Sequence, residues 1–177
     1  SQKPEKSRSY FYFICRIKCV SQTKYKWVYF TNFPGKAFPI NQSLRDPNES
    51  EFWNPPRNDG ADFFVGDLSK PNGAAQLHQE ISETNLHVDL LINNAGYGRW
   101  GGFTDFDRED YASMIQLNIT SLTELCHFFI PKMVKKNGGG VINIGSTASF
   151  LPVPYASVYS SSKGYVLLFS EAHYLFP

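Results

Sequence analysis

The run Val88-Asp-Leu-Leu-Ile-Asn-Asn-Ala-Gly96 constrains the fold more than any other stretch of this chain. It reads as a short buried strand that runs into two amides, a small residue and a glycine. A continuous apolar stretch suits a central parallel strand covered on both faces, and a glycine just after it lets backbone approach a ligand closely. Strand-like and helix-like segments alternate around it. The pattern predicts strands over 62–66, 88–93 and 141–145, and helices over about 73–83, 107–136 and 156–174. That alternation implies an α/β fold, the middle of a doubly wound parallel sheet with helices on both faces.

The helix predicted over 107–136 carries a broad apolar stripe of Tyr111, Met114, Ile115, Ile119, Leu122, Leu125, Cys126 and Phe129. Asn118 lies inside that stripe. A buried amide must be hydrogen-bonded, so Asn118 is either a structural pin or part of a proton relay. Pro131 is placed to kink the helix. Pro71-Asn-Gly opens the preceding helix as a turn, and the glycines of Asn137-Gly-Gly-Gly close the long one.

Tyr159 and Lys163 stand four residues apart in the last predicted helix, with Ser146 thirteen residues upstream of Tyr159, at the end of Val141-Ile-Asn-Ile-Gly-Ser. The four-residue spacing stacks phenol and ammonium on one helix face. A phenol titrates near 10 in water, and a fixed cation brings it toward the range useful for proton exchange at neutral pH. Ser146, emerging from a strand, is placed to hydrogen-bond the same substrate oxygen. Taken alone, a Tyr-x-x-x-Lys pair is an ordinary feature of amphipathic helices; its company gives it meaning.

Asn93-Asn94-Ala95-Gly96, Asn118, Ser146 and Tyr159-x-x-x-Lys163, in this order and at these spacings, resemble the short-chain dehydrogenase/reductase family, over about residues 61 to 172. Gly-Asp67-Leu-Ser resembles the family's segment after its third strand. Several motifs in one order outweigh any single one. The resemblance implies a Rossmann-like fold and a hydride transfer between NADP or NAD, with NADP slightly preferred, and a small-molecule carbonyl or alcohol. It implies that Tyr159 is the general acid/base and that Lys163 tunes it while binding the nicotinamide ribose. Ser146 would hold the substrate oxygen, and Asn118 would position a water linking Lys163 to solvent. Asp67, Asn94, Ala95 and Gly96 would line the adenosine side of the cofactor. It also implies a homo-oligomer formed through the helices at 107–136 and 156–174.

Gly96-Tyr-Gly98-Arg-Trp-Gly101 matches Gly-x-Gly-x-x-Gly and follows a strand, yet what comes next is Gly102-Phe-Thr-Asp-Phe-Asp rather than a helix N-terminus suited to phosphate. It reads as a mobile loop on the substrate side. The family's opening strand and Thr-Gly-x-x-x-Gly-x-Gly turn have no counterpart in residues 1–60, whose only glycines are Gly35 and Gly60. Aromatic segments such as Tyr10-Phe-Tyr-Phe-Ile, Lys26-Trp-Val-Tyr-Phe and Glu51-Phe-Trp-Asn-Pro-Pro stand there instead. Residues 1–60 hold ten Lys/Arg against five Asp/Glu, and residues 61–177 seven against eleven. The chain therefore divides into an unrecognised segment, 1–60, and a truncated dehydrogenase domain, 61–177. Asp67 keeps about the distance from the start that it has in complete family members, which points to a shifted reading frame over the first part. At the other end, His-Tyr-Leu-Phe-Pro stops the family helix before its last two strands.

No run of the sequence approaches the length needed to span a bilayer, and Tyr10 to Cys15 is too short for a signal-peptide core. Cys15, Cys19 and Cys126 are odd in number and lack a second ligand pair for zinc, so a cytoplasmic, reduced setting is expected. Asn41-Gln-Ser, Asn48-Glu-Ser and Asn118-Ile-Thr then match glycosylation acceptors by chance. No metal is expected. Lys24-Tyr-Lys-Trp-Val-Tyr-Phe interleaves cations with aromatics as single-strand binders do, but with no recognised fold behind it no nucleic acid is expected. The alternatives to an oxidoreductase are an inactive remnant that keeps an oligomer surface and a basic aromatic binding module at the N-terminus.

Overall fold

The computed structural model describes residues 14–21, 24–31, 62–84 and 86–175. Its elements in chain order are strands β1 (Ile14–Ser21), β2 (Lys24–Thr31) and β3 (Asp62–Val65), helix α1 (Gly73–Ser82), strand β4 (Val88–Asn93), helix α2 (Arg108–Ile115), a π-helical segment Gln116–Ser121, helix α3 (Leu122–Lys135), strand β5 (Gly140–Asn143) and helix α4 (Ser157–Leu175). From Asp62 onward the elements follow the predicted ones, with strand and helix ends shifted by one or two residues. Most of the segment before 61, including the proposed frame boundary and both outer aromatic runs, lies outside the described residues. So do the side chains of β1 and β2, Cys15 and Cys19 among them.

The five strands form one sheet in the order β3-β2-β1-β4-β5. β2 and β3 run parallel from Val28↔Asp62 to Thr31↔Val65, and β4 and β5 run parallel from Leu90↔Gly140 to Asn93↔Asn143. β1 opposes both neighbours. It pairs antiparallel with β2 from Ile14↔Thr31 to Ser21↔Lys24, and with β4 from Arg16↔Ile92 to Cys19↔Val88. The sheet is therefore parallel and α/β apart from one central strand, which belongs to the N-terminal part that the sequence sets apart. The aromatic stretch Lys24–Thr31 has the residue types that favour a pleated surface, a signal that the absence of any helical period obscures. The consequence lies at one edge: β2, β3, β4 and β5 all end where β1 begins.

Among the described residues, α1 and α3 pack directly on the sheet. α1 buries Ala74, Leu77 and Ile81, and these join Leu91 of β4 and Leu125, Cys126, Phe129 and Met133 of α3 in a single cluster. Each fully buried Leu or Ile there contributes roughly 1.5–3 kcal/mol. Gly73 is required for the approach of α1 to β3, because a Cβ on it would sit 2.3 Å from the backbone oxygen of Asp67.

The long predicted helix is present, interrupted by one π turn. Inserting a residue there brings Leu117, Asn118 and Ser121 inward together, and Ser121 Oγ donates to the Leu68 carbonyl at 2.7 Å. Such insertions are often found at functional sites. Pro131 is accommodated within α3. At its C-terminus Asn137, and not a glycine, takes the left-handed position with φ of 52°. The Asn137 and Gly138 N–H groups donate to the Val134 and Met133 carbonyls at 2.9 and 3.2 Å, closing the helix as a Schellman motif.

Candidate active site

Four of the residues singled out by sequence meet beyond the ends of β4 and β5. Gly96 follows β4, and a Cβ on it would lie 3.1 Å from Asn118 Oδ1 and 3.6 Å from Lys163 Nζ. Lys163 is only 6% exposed and donates to the Ile144 carbonyl at 2.7 Å. Burial lowers its pKa below the ordinary 10.5, because leaving water disfavours the charged form. One turn earlier on α4, the Tyr159 ring lies against Gly98, where a Cβ would come within 2.9 Å of it.

Asn118 is 1% exposed and its amide is in full use. Its Oδ1 accepts the Tyr97 N–H at 3.1 Å, while its Nδ2 donates to the Tyr97 carbonyl at 2.9 Å and to Ser162 Oγ at 3.0 Å. Ser162 Oγ in turn donates to the backbone oxygen of Tyr159 at 2.7 Å. Of the two roles open to it in the sequence, the side chain performs the pin: it fastens the loop after β4 to the helix that carries Tyr159 and Lys163.

Ser146 stands in extended backbone after β5 and caps the 3-10 turn Thr147–Ser149. Its Oγ accepts the Ala148 N–H at 3.2 Å, and its own N–H donates to Ser149 Oγ at 3.2 Å. The first bond uses a lone pair of the hydroxyl and leaves its proton to donate elsewhere.

The 96–101 loop, expected to be mobile, is tied at several points. Besides the Asn118 clamp, Arg99 forms an ion pair with Asp110 of α2, and the Gly101 N–H donates to the Tyr155 carbonyl at 2.9 Å. Gly102 is extended and a short 3-10 turn, Phe103–Asp105, follows it, so the Gly-x-Gly-x-x-Gly match leads into no helix N-terminus. The same loop presents Trp100, whose ring centre is 5.1 Å from that of Tyr159 at an angle of 45°. Neither Trp100 nor Ile144 announces a role in the sequence.

Asp67 lies apart from this group, at the end of β3 on the far side of β2 and β1. Its Oδ1 accepts from the N–H and hydroxyl of Ser69 at 2.9 and 2.5 Å. Asn94 and Ala95 are half-buried between β4 and Gly96, with Ala95 packed on the core. The amide just before them, Asn93, is buried and donates to Asn143 Oδ1 at 2.9 Å and to Cys126 Sγ at 3.3 Å. Burial pushes the Cys126 thiol up to about 11, so it is an inert part of the core. A groove of about 510 Å³ lies between residues 148–154 and the Ser157, Ser160, Ser161 and Gly164 face of α4. By helical spacing that face is opposite Tyr159 and Lys163, so the groove is not the reaction site.

The profile of the short chain dehydrogenase family matches residues 47–174, most of the chain. This chain belongs to the short-chain dehydrogenase family. Its relatives include hydroxysteroid dehydrogenase-like protein 1 of Gallus gallus, 34% identical over 115 residues that cover 64% of this chain and 34% of the relative. An uncharacterized oxidoreductase of Thermotoga maritima is 32% identical over 107 residues, 60% of this chain and 42% of that protein. Among solved structures, a short-chain dehydrogenase from Sphingobium yanoikuyae in complex with NADPH is 33% identical with a TM-score of 0.60, over 66% of this chain and 45% of that one. This short-chain dehydrogenase family member thus spans between a third and a half of the length of these relatives. Among its described residues no helix is long and apolar enough to cross a membrane.

Proposed function

We propose that this chain performs the proton transfer of an NAD(P)-dependent oxidoreductase that interconverts a carbonyl and an alcohol, with Tyr159 as the general acid/base. The observation that carries this reading is the buried ammonium of Lys163, one turn from Tyr159 and beside the Gly96 cradle. A lysine is rarely held out of water without a use. Lys163 holds the ribose of the nicotinamide and keeps a positive charge below the phenol. Ser146 donates its hydroxyl proton to the substrate oxygen, and Tyr159 gives or takes the proton of that oxygen. Because the Asn118 side chain is committed to Tyr97 and Ser162, any water it positions between Lys163 and solvent is held through its backbone.

When bound, the nicotinamide supplies or accepts the hydride. The described residues fit that end of a dinucleotide: Gly96 leaves room that a Cβ would fill, and Asp67, Asn94 and Ala95 line the way toward the adenosine. NADP is the slightly preferred form, supported by NADPH in the Sphingobium relative. Two copies pair through the helices at 107–136 and 156–174, supported by the exposure of Val134 and Leu168 and by the small-residue face of α4. A cytoplasmic setting is supported by the free thiol of Cys126. The division at residue 61 into a segment of shifted frame and a dehydrogenase part belongs to the same proposal.

One observation favours a second reading, a non-catalytic remnant. At the edge where the phosphates would lie, β1 enters by its N-terminal end, and among the described residues no glycine-rich turn joins β1 to a helix. Calorimetry with NADPH decides between the two. Saturable heat, abolished in Gly96→Val, is expected for the oxidoreductase, and absence of heat at millimolar cofactor establishes the remnant.

A further inference from the structure

We infer that Trp100 forms a wall of the carbonyl site beside Tyr159 and restricts that site to uncharged, apolar carbonyl compounds; the inference rests on the assignment of Tyr159 above. Trp100 meets the Tyr159 ring at a tilt rather than face to face, so the indole stands beside the phenol. The contact exists because residue 98 is glycine: a Cβ there would lie 2.6 Å from the Trp100 ring and 2.9 Å from that of Tyr159. Nor is the placement left to the indole alone. Asn118 holds Tyr97 by both backbone groups, Arg99 is paired with Asp110, and Gly101 is bonded to Tyr155. The residues flanking Trp100 are therefore fixed to α2, the π turn and the start of α4.

Charge sets the class of substrate. The loops after β4 and β5, residues 94–107 and 144–156, contain one cation, Arg99. That guanidinium is neutralised by Asp110 and lies 5.5 Å from the Phe106 ring, while Asp105 and Asp107 add negative charge nearby. Phe103 and Tyr155, on the same two loops, are exposed. A carboxylate or phosphate on the substrate would meet no unpaired cation on these loops, whereas an aryl or alkyl group would bury apolar surface against them.

The test is binding, read separately from turnover. The indole N–H resonance of Trp100, identified by its loss in Trp100→Phe, is followed in the full chain as benzylacetone or its ring-carboxylated analogue is added. The expected result is a saturable shift with benzylacetone, with the carboxylate bound about ten-fold more weakly or worse. By saturation transfer to the ketone, Trp100→Ala loses about ten-fold in affinity, while Trp100→Phe, which keeps an aromatic wall, stays within a few-fold of the parent. Equal binding of the two compounds, no shift with benzylacetone, or undiminished binding by Trp100→Ala overturns the inference. A preserved shift without hydride transfer counts against the oxidoreductase reading and leaves this one standing.

Discussion

Lys163 donates a 2.7 Å hydrogen bond to the carbonyl oxygen of Ile144, the first residue after β5. That bond ties the helix carrying Tyr159 to the strand end carrying Ser146, and it uses a buried cation to do so. The arrangement is costly to the fold, since burial alone lowers the Lys163 pKa.

Replacing the cation separates stability from function. Lys163→Met is expected to melt at or above the parent temperature at neutral pH, by up to about 1 kcal/mol, because an apolar chain of similar length removes the desolvation cost. The same variant is expected to lose carbonyl reduction. The pH dependence has a definite sign. Below the lowered folded pKa both states hold the proton and the cost is fully present; as pH rises from there toward the ordinary 10.5, the folded state releases its proton first and gains stability. Melts across alkaline pH should therefore show the parent gaining on the Met variant.

Two glycines differ in what they protect. In Gly73→Ala a Cβ would meet the Asp67 backbone oxygen at 2.3 Å, a clash that only backbone movement relieves, and a loss of about 1–3 kcal/mol is expected in urea unfolding. In Gly96→Ala the nearest atoms are the Asn118 oxygen at 3.1 Å and Lys163 Nζ at 3.6 Å, so the fold should tolerate the change. Cofactor affinity measured by calorimetry should fall instead.

Removing the Asn118 amide takes hydrogen bonds from polar groups on both sides of it. Asn118→Ala removes the amide that bonds the Tyr97 N–H, the Tyr97 carbonyl and Ser162 Oγ, and is expected to destabilise by roughly 1–3 kcal/mol. Ser162→Ala loses the bond accepted from Asn118 Nδ2 and the one donated to the Tyr159 carbonyl but keeps both Asn118 bonds to Tyr97, and should cost less, about 1 kcal/mol. Thermal melts followed by circular dichroism rank the two, and the opposite order would show that the loop does not depend on the clamp.

The strand at Val88–Asn93 and the helices around it are legible in the sequence because their signal is local: a continuous apolar run, a period near 3.6, a turn at Pro71-Asn-Gly. What escapes is set by contacts distant in sequence. The π turn at Gln116–Ser121 is invisible because one added residue barely disturbs the apolar stripe, although it decides which way Asn118 points. The direction of β1 depends on its partners, Thr31 and Ile92, and not on its own composition. In the candidate site, Tyr159, Lys163, Ser146 and Asn118 stand out because together they resemble the family's motifs, whereas Trp100 is hidden inside a glycine pattern that resembles a phosphate loop. Asn137 at the helix end is missed for a similar reason, since the three glycines after it look better suited to a left-handed backbone.

The most direct measurement is deuteride transfer by the full chain from nicotinamide-deuterated NADPH to benzylacetone, with the alcohol analysed by mass spectrometry. The expected result is one deuterium on the carbinol carbon, formed about 10²–10⁴ times more slowly by Tyr159→Phe, whose fold is unchanged by circular dichroism. Deuterated alcohol at equal rates from both proteins, or none from the parent, contradicts the assignment of Tyr159 as the proton donor.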